Sequence, residues 1–321
     1  MANRPRRASV HGRRLAALLV LGAMTLAFAA HGNQHVPSGT RSPRGHSSER
    51  VLHLRTPGPH QVLIRGGHFT MGSSDTAIRT ALALCRSGGA AARCDLREYV
   101  NEGPERVVHL TPYWLDRTEV SNGAYHRCID AGVCPPARYQ AARSWRRRAD
   151  LPVTLISWRE ASAYCRWSGG HLPTEAQWER AARGLTGRRF PWGTVYHPLL
   201  ANHGRSGRRA HDDRDGFVEL APIDDLYDGR SAEGILQLAG NVEEWVADWY
   251  APRYPAADET DPKGPPRGDT RIVRGGSFIH GPSRLRGASR RHDLPTARRA
   301  WRGFRCARSQ RSGPPYRRVK P

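Results

Sequence analysis

Residues 152–184, PVTLISWREASAYCRWSGGHLPTEAQWERAARG, constrain this chain more than any other stretch. Trp158, Ala161, Tyr164, Cys165 and then Trp167 or Ser168 recur at spacings of three and four, which predicts a short helix with its bulky groups on one face. Gly169 and Gly170 end it, because glycine takes the positive φ that a helix C-terminus uses. Thr174 and Gln177 spell a capping box for a second helix, whose buried stripe is Trp178, Ala181 and Ala182. Two helices this short are not stable by themselves, so the rest of the chain must pack on them.

The 321 residues suffice for one large domain or two small ones. Residues 1–30 read as a secretory signal: a basic start, an apolar run of about fifteen residues, and small residues at Ala27 and Ala29. A membrane anchor is the competing reading, but a span needs about twenty apolar residues. Cleavage would leave no transmembrane anchor. Residues 31–60, rich in Ser, Gly, Pro and Arg, are expected as a flexible linker. The globular part is expected over 61–308 and a basic, frayed tail over 309–321. QVLIRGGHFTMGS predicts strand, glycine turn and strand, followed by a helix over 75–86. An alternating strand over VVHLTPYWLD leads to Ser121 as N-cap of a helix ending at Ile129, and 138–150 reads as a basic surface loop. RIVRGGSF and WRGFRCA read as the last strands.

The formal charge of +22 raises the question of nucleic acid. All but two of the 51 basic residues are arginine, however, and they run from end to end with no nucleic-acid-binding motif, so no specific nucleic-acid partner is expected. Six cysteines fit an exported protein with disulfides and allow fifteen pairings. Cys128 with Cys134, and Cys85 with Cys94, are close enough to close small loops, while the absence of any CxxC pair weighs against a zinc cluster.

IRGGHFTMGS, LDRTEVSNGAYHRC, the central segment with FPWG, LQLAGNVEEWVADWY, RIVRGGSF and WRGFRCA occur in that order between Gln61 and Arg308. In this the chain resembles the formylglycine-generating enzymes, or sulfatase-modifying factors. The resemblance implies an α+β fold like a C-type lectin, with little regular structure, held by disulfides and calcium. It also implies the pair Cys165–Cys306. It makes long irregular stretches such as 194–234 and 251–269 an expected part of one domain.

Two structural calcium sites follow from the resemblance. The first takes side chains of Asn202 and Asp215 with carbonyls of His203 and Phe217; the second takes Glu244, carbonyls of Gly240 and Val242, and Gln237 where the family has Asn or Asp. Oxygen donors of this kind suit a hard cation. The family's copper cysteines, three residues past the GGS motif and five beyond, match His280 and Leu285, and the family's Trp in GNxWEW is Glu243. Copper, which favours thiolates, is therefore not expected. Ser277 and His280 remain as weak catalytic candidates, and His280 with His292 could contribute to an iron or copper site, against the plain reading of hydrogen-bonded histidines. Glu175, Glu179 and Glu244 are expected as scaffold partners for arginine.

The sequence thus predicts an exported, monomeric module, periplasmic or extracellular, that binds a peptide, protein or cell-envelope component without the family's catalysis. The alternative is a metal-dependent oxidoreductase acting on cysteine or another side chain through a site rebuilt near Ser277 and His280.

Overall fold

Each long helix begins where a side-chain hydroxyl takes up a free backbone N–H. The computed structural model describes residues 60–87, 94–136, 148–204 and 213–310, all within one unit, His53–Pro321. In it α1 (Asp75–Arg86) is capped by Ser74, α2 (Asn122–Asp130) by Ser121, α3 (Trp158–Trp167) by Ser157 and α4 (Glu175–Arg183) by Thr174. Every cap accepts from the N–H three residues on, which supplies one of the orphan donors of a helix start. Thr174 and Gln177 close the expected capping box, at 3.2 and 2.9 Å. Ser157 and Glu160 make a second one on α3. Gly169 ends α3 at φ +87°. Gly170 is not left-handed as expected; a Cβ there would lie 2.3 Å from the Ala307 carbonyl oxygen, so glycine is needed for close approach instead.

β1 (Gln61–Ile64) and β2 (Gly67–Met71) flank the expected glycine turn but enter different sheets. β2 pairs antiparallel with β3 (Arg106–Leu110), whereas β1 pairs antiparallel with β4 (Tyr113–Asp116), so the single strand expected over 107–116 is broken in two at Pro112. Proline has no N–H to give a ladder. β5 (Glu243–Trp249) is the long strand of the third sheet, and β6 (Glu259–Thr260) extends the β2–β3 pair. β7 (Arg271–Arg274) pairs antiparallel with both β5 and β8 (Arg290–Asp293). β9 (Arg302–Gly303) pairs parallel with β5, and β10 (Ala307–Ser309) joins β4. The expected closing strand WRGFRCA is thus interrupted where Arg305 and Cys306 turn inward, and Ser309, expected in the tail, belongs to β10.

The architecture is α+β, with α4 and the sheets sharing one apolar cluster around Trp178, Phe69 and Leu238. A second cluster joins α2, α3 and β5 through Tyr125, Tyr164, Trp245 and Phe304. All six cysteines are bridged: Cys85–Cys94, Cys128–Cys134 and Cys165–Cys306. Glu175 and Glu179 meet arginines as expected, both pairing with Arg274. The signal segment 1–30, the linker up to residue 59, residues 138–147 of the basic loop and the tail beyond 310 lie outside the described residues. Among the described residues no helix is long and apolar enough to cross a membrane.

Candidate functional site

β7 ends at Arg274, and Gly275 and Gly276 then turn the chain at φ +90° and +68°. A Cβ on Gly276 would come within 2.8 Å of the Arg284 carbonyl oxygen, so the following loop can fold back onto the turn only because glycine stands there. This loop carries both positions that match the copper cysteines. Leu285 is fully buried with Phe190, Ala201 and Ala239 and contributes packing alone. His280 stays half-buried at the loop's edge.

Both ring nitrogens of His280 are engaged. Nδ1 lies 2.8 Å from the Ser277 hydroxyl and Nε2 lies 2.7 Å from an Arg291 guanidinium nitrogen. Burial pushes the His280 pKa down to about 4, with Arg291 and Arg302 acting the same way and Glu243 opposing them. The ring is neutral at pH 7, so one nitrogen donates and the other accepts. A guanidinium only donates, which makes Nε2 the acceptor and leaves Nδ1–H to donate to Ser277. In that tautomer His280 cannot take a proton from Ser277, and Ser277 is itself fully buried. The pair is a brace, not an activated nucleophile.

The brace continues inward. Arg291 donates to Glu243 at 2.8 Å, and Arg302 donates to the other Glu243 oxygen at 2.8 and 2.5 Å. Burial would raise the Glu243 pKa, but Arg291 and Arg302 outweigh it and hold the carboxylate ionised. Nothing in the sequence marks Glu243 or Arg291 as site residues by chemistry. The available signal was Glu243 standing at the family's tryptophan position. His292 stacks on Tyr250 at 3.8 Å between ring centroids, and among the described residues no group of three His, Cys, Asp or Glu side chains is placed to hold a metal. A ligand set joining His280 and His292 would have to displace Arg291 and break this stack.

Beside His280 opens a cavity of about 500 Å³, walled by Arg284, Arg291, Tyr250, His292, Asn101 and Glu98 among others.

The structure brings together the residues expected at the first calcium site. Asp215 accepts from the N–H of His203 at 2.7 Å and from that of Phe217 at 2.9 Å. Asn202 gives its amide N–H groups to the Glu219 carbonyl at 2.6 Å and Asn241 Oδ1 at 3.0 Å, which leaves its buried Oδ1 without a partner among the described residues. An orphaned acceptor beside a buried carboxylate fits a hard cation. The second donor set does not fit. Both oxygens of Glu244 accept from Arg305 at 2.7 Å, and Oε2 also accepts from Trp178 at 3.0 Å. Gln237 turns its amide N–H groups to the carbonyls of Pro222 and Asp225. Gly240 and Val242 are buried beside them. With Glu244 neutralised and Gln237 uncharged, no free negative side chain is left in that set.

A family model described as the sulfatase-modifying factor enzyme 1-like domain matches residues 48–310. The chain is 32% identical over 299 residues to the formylglycine-generating enzyme of Thermomonospora curvata, covering 77% of this chain and 92% of that one. It is 36% identical over 172 residues to the inactive C-alpha-formylglycine-generating enzyme 2 of Mus musculus, covering 51% of each. Among solved structures, PvdO from Pseudomonas aeruginosa matches with a TM-score of 0.60 at 23% identity, over 78% of this chain and 94% of that one, a likeness of fold.

Proposed function

The chain belongs to the sulfatase-modifying factor family, and we propose that within it this protein is an exported binding or accessory module that has kept the family's cleft and given up its copper chemistry. The carrying observation is the fate of the thiols. All six cysteines are bridged, and the two copper positions are His280, tied at both nitrogens, and Leu285, sealed in an apolar cluster. The cleft beside them presents polar and aromatic groups to a peptide or envelope component.

The test is mass spectrometry of a Cys-x-Pro-x-Arg peptide incubated with the disulfide-intact protein, oxygen, and copper or iron in turn. The peptide should come back unchanged under conditions in which a copper-loaded family enzyme converts it. Appearance of the aldehyde would overturn the binding-module reading and favour an oxidoreductase rebuilt near Ser277 and His280.

Calcium at the first site belongs to the same proposal. The side chains of Asn202 and Asp215 and the carbonyls of His203 and Phe217 hold it, and its role is to fasten the polar loops on either side. Chelation should lower the thermal midpoint, and calcium should restore it. Calcium at a hundredfold excess over its dissociation constant would stabilise by about 2.7 kcal/mol. Asn202→Leu should abolish the response, whereas a midpoint indifferent to chelator in the unsubstituted protein would remove calcium from the account.

A further inference from the structure

The cavity beside His280 is cationic. Arg284 and Arg291 face it, with Arg290 and Arg97 also on its wall and Glu98 as its acid. Arg290 is spoken for, since Nε and NH2 both bind Glu175, at 2.7 and 3.0 Å. Arg284 and Arg291 are less settled. Arg291 shares Glu243 with Arg302, which also has Asp293 at 2.9 Å, and the Arg291 side chain is still 39% exposed. Arg284 is 14% exposed, and among the described residues its ion pair is with the half-exposed Glu98 at the cavity's mouth.

We infer that this cavity is a binding site for an organic acid, a carboxylate or phosphate ester on a planar body, whose anionic group takes the place of Glu98 on Arg284 and also reaches Arg291. Four observations carry it. Guanidinium forks match carboxylate and phosphate oxygens in bidentate fashion, and they stay charged in every environment proteins provide. Glu98 already satisfies Arg284 with a carboxylate through a contact to the guanidinium, so the oxyanion geometry is present in the chain itself. The Glu98 side chain is half exposed, so water can solvate its carboxylate once a ligand takes its place. The stacked Tyr250–His292 rings give a flat apolar wall for the ligand's body.

Two further features agree. Burial, with Arg291 and Arg286 nearby, pushes Arg284 down to about 9. An arginine does not answer such a load by losing its proton, so a bound anion is the available relief. Asn101, buried on the same wall, has an Oδ1 without a partner among the described residues, which suits a ligand that also carries an O–H or N–H. The volume accommodates a drug-sized molecule.

The inference rests on the cleft being a binding site, but its test is independent of peptide oxidation. Titration calorimetry at fixed ionic strength would use 4-hydroxybenzoate, phenyl phosphate, neutral benzamide, and a capped peptide bearing one phosphotyrosine. At least one of the anions should bind and benzamide should not; which of the free acids or the peptide binds identifies a small ligand or a side chain as the occupant. Arg284→Gln and Arg291→Gln should each weaken the binding at least tenfold. Glu98→Gln should tighten it several-fold, a gain that damage to the fold would not produce. Arg230→Gln, at a surface arginine stacked on Tyr227, should leave it unchanged. Failure of every anion to bind, equal weakening in Arg230→Gln, or weaker binding in Glu98→Gln would each overturn the inference, and none of these outcomes would touch the result of the peptide-oxidation test.

Discussion

Replacing Arg274 with methionine should destabilise the protein by about 3–5 kcal/mol at neutral pH, the usual cost of removing one partner from a buried ion pair. The Arg274 side chain is fully enclosed. It donates to Glu179 at 2.5 Å, to Glu175 at 3.1 Å, and to the carbonyls of Gly287 and Ala288 at 2.7 and 3.3 Å. Methionine fills much of the space, so the loss comes from the carboxylates left behind and not from a cavity. Burial alone would raise the Glu179 pKa; Arg274 and then Arg183 reverse this and hold it below its ordinary value. A carboxylate with a depressed folded pKa contributes stability above its unfolded pKa, near 4.5, and loses it as pH falls through the folded value. The methionine variant should therefore show its largest deficit above about pH 5, narrowing at lower pH as Glu179 becomes protonated in both proteins. Denaturant titrations at pH 7 and pH 4 check this. Equal deficits at the two values would mean that packing, not charge, is what Arg274 supplies. Arg274→Lys should fall between, because an ammonium keeps the charge but cannot span two carboxylates and two carbonyls. Since Arg274 directly precedes the Gly275–Gly276 turn, this cluster also fixes where the Ser277–His280 loop starts.

What the sequence revealed and what it hid divide by distance along the chain. Helix caps join residues three apart, so Ser121 and Thr174 could be read directly. The split of β1 from β2 could not, because the choice of sheet was made by partners distant in sequence, Asp116 against Gln61 and Arg106 against Met71. Glu175, Glu179 and Glu244 could be recognised as partners for arginine, but apart from Arg183, four residues after Glu179, their arginines lie far off in sequence, and in a chain with arginine at every turn nothing local selects Arg274, Arg290 and Arg305. The candidate site follows the same rule. Ser277 and His280, three apart on one turn, stood out together; Glu243 and Arg291 reach them only because β8 lies beside β7, which lies beside β5. Glu244 shows the converse, since its motif position implied calcium while an arginine from the far end of the chain occupies its carboxylate.

Removing the Cys165–Cys306 bridge should cost more than removing Cys128–Cys134, and the difference should arise in the unfolded state. The first bridge spans 141 residues and the second spans 6. Loop-closure entropy gives about 5 kcal/mol for the long loop and about 2 kcal/mol for the short one. Alanine is the right replacement in both pairs, because all four cysteines lie in the apolar cluster with Tyr125, Tyr164 and Phe304, where a serine hydroxyl would add a desolvation cost of its own. The folded state keeps other ties across the long loop. His171 and Ala307 exchange backbone hydrogen bonds at 2.9 and 2.7 Å, and Arg305 stays on Glu244. C165A/C306A should therefore still fold and still bind whatever the unsubstituted cavity binds, while its denaturation midpoint falls furthest and its m-value rises as the unfolded chain expands. A fall of the same size in C128A/C134A would defeat the loop-length account and make packing inside the aromatic cluster the common contribution of the two bridges. A rise in m confined to the long-loop variant would show that this bridge acts mainly by restricting a chain whose α3 and C-terminal strand could otherwise part.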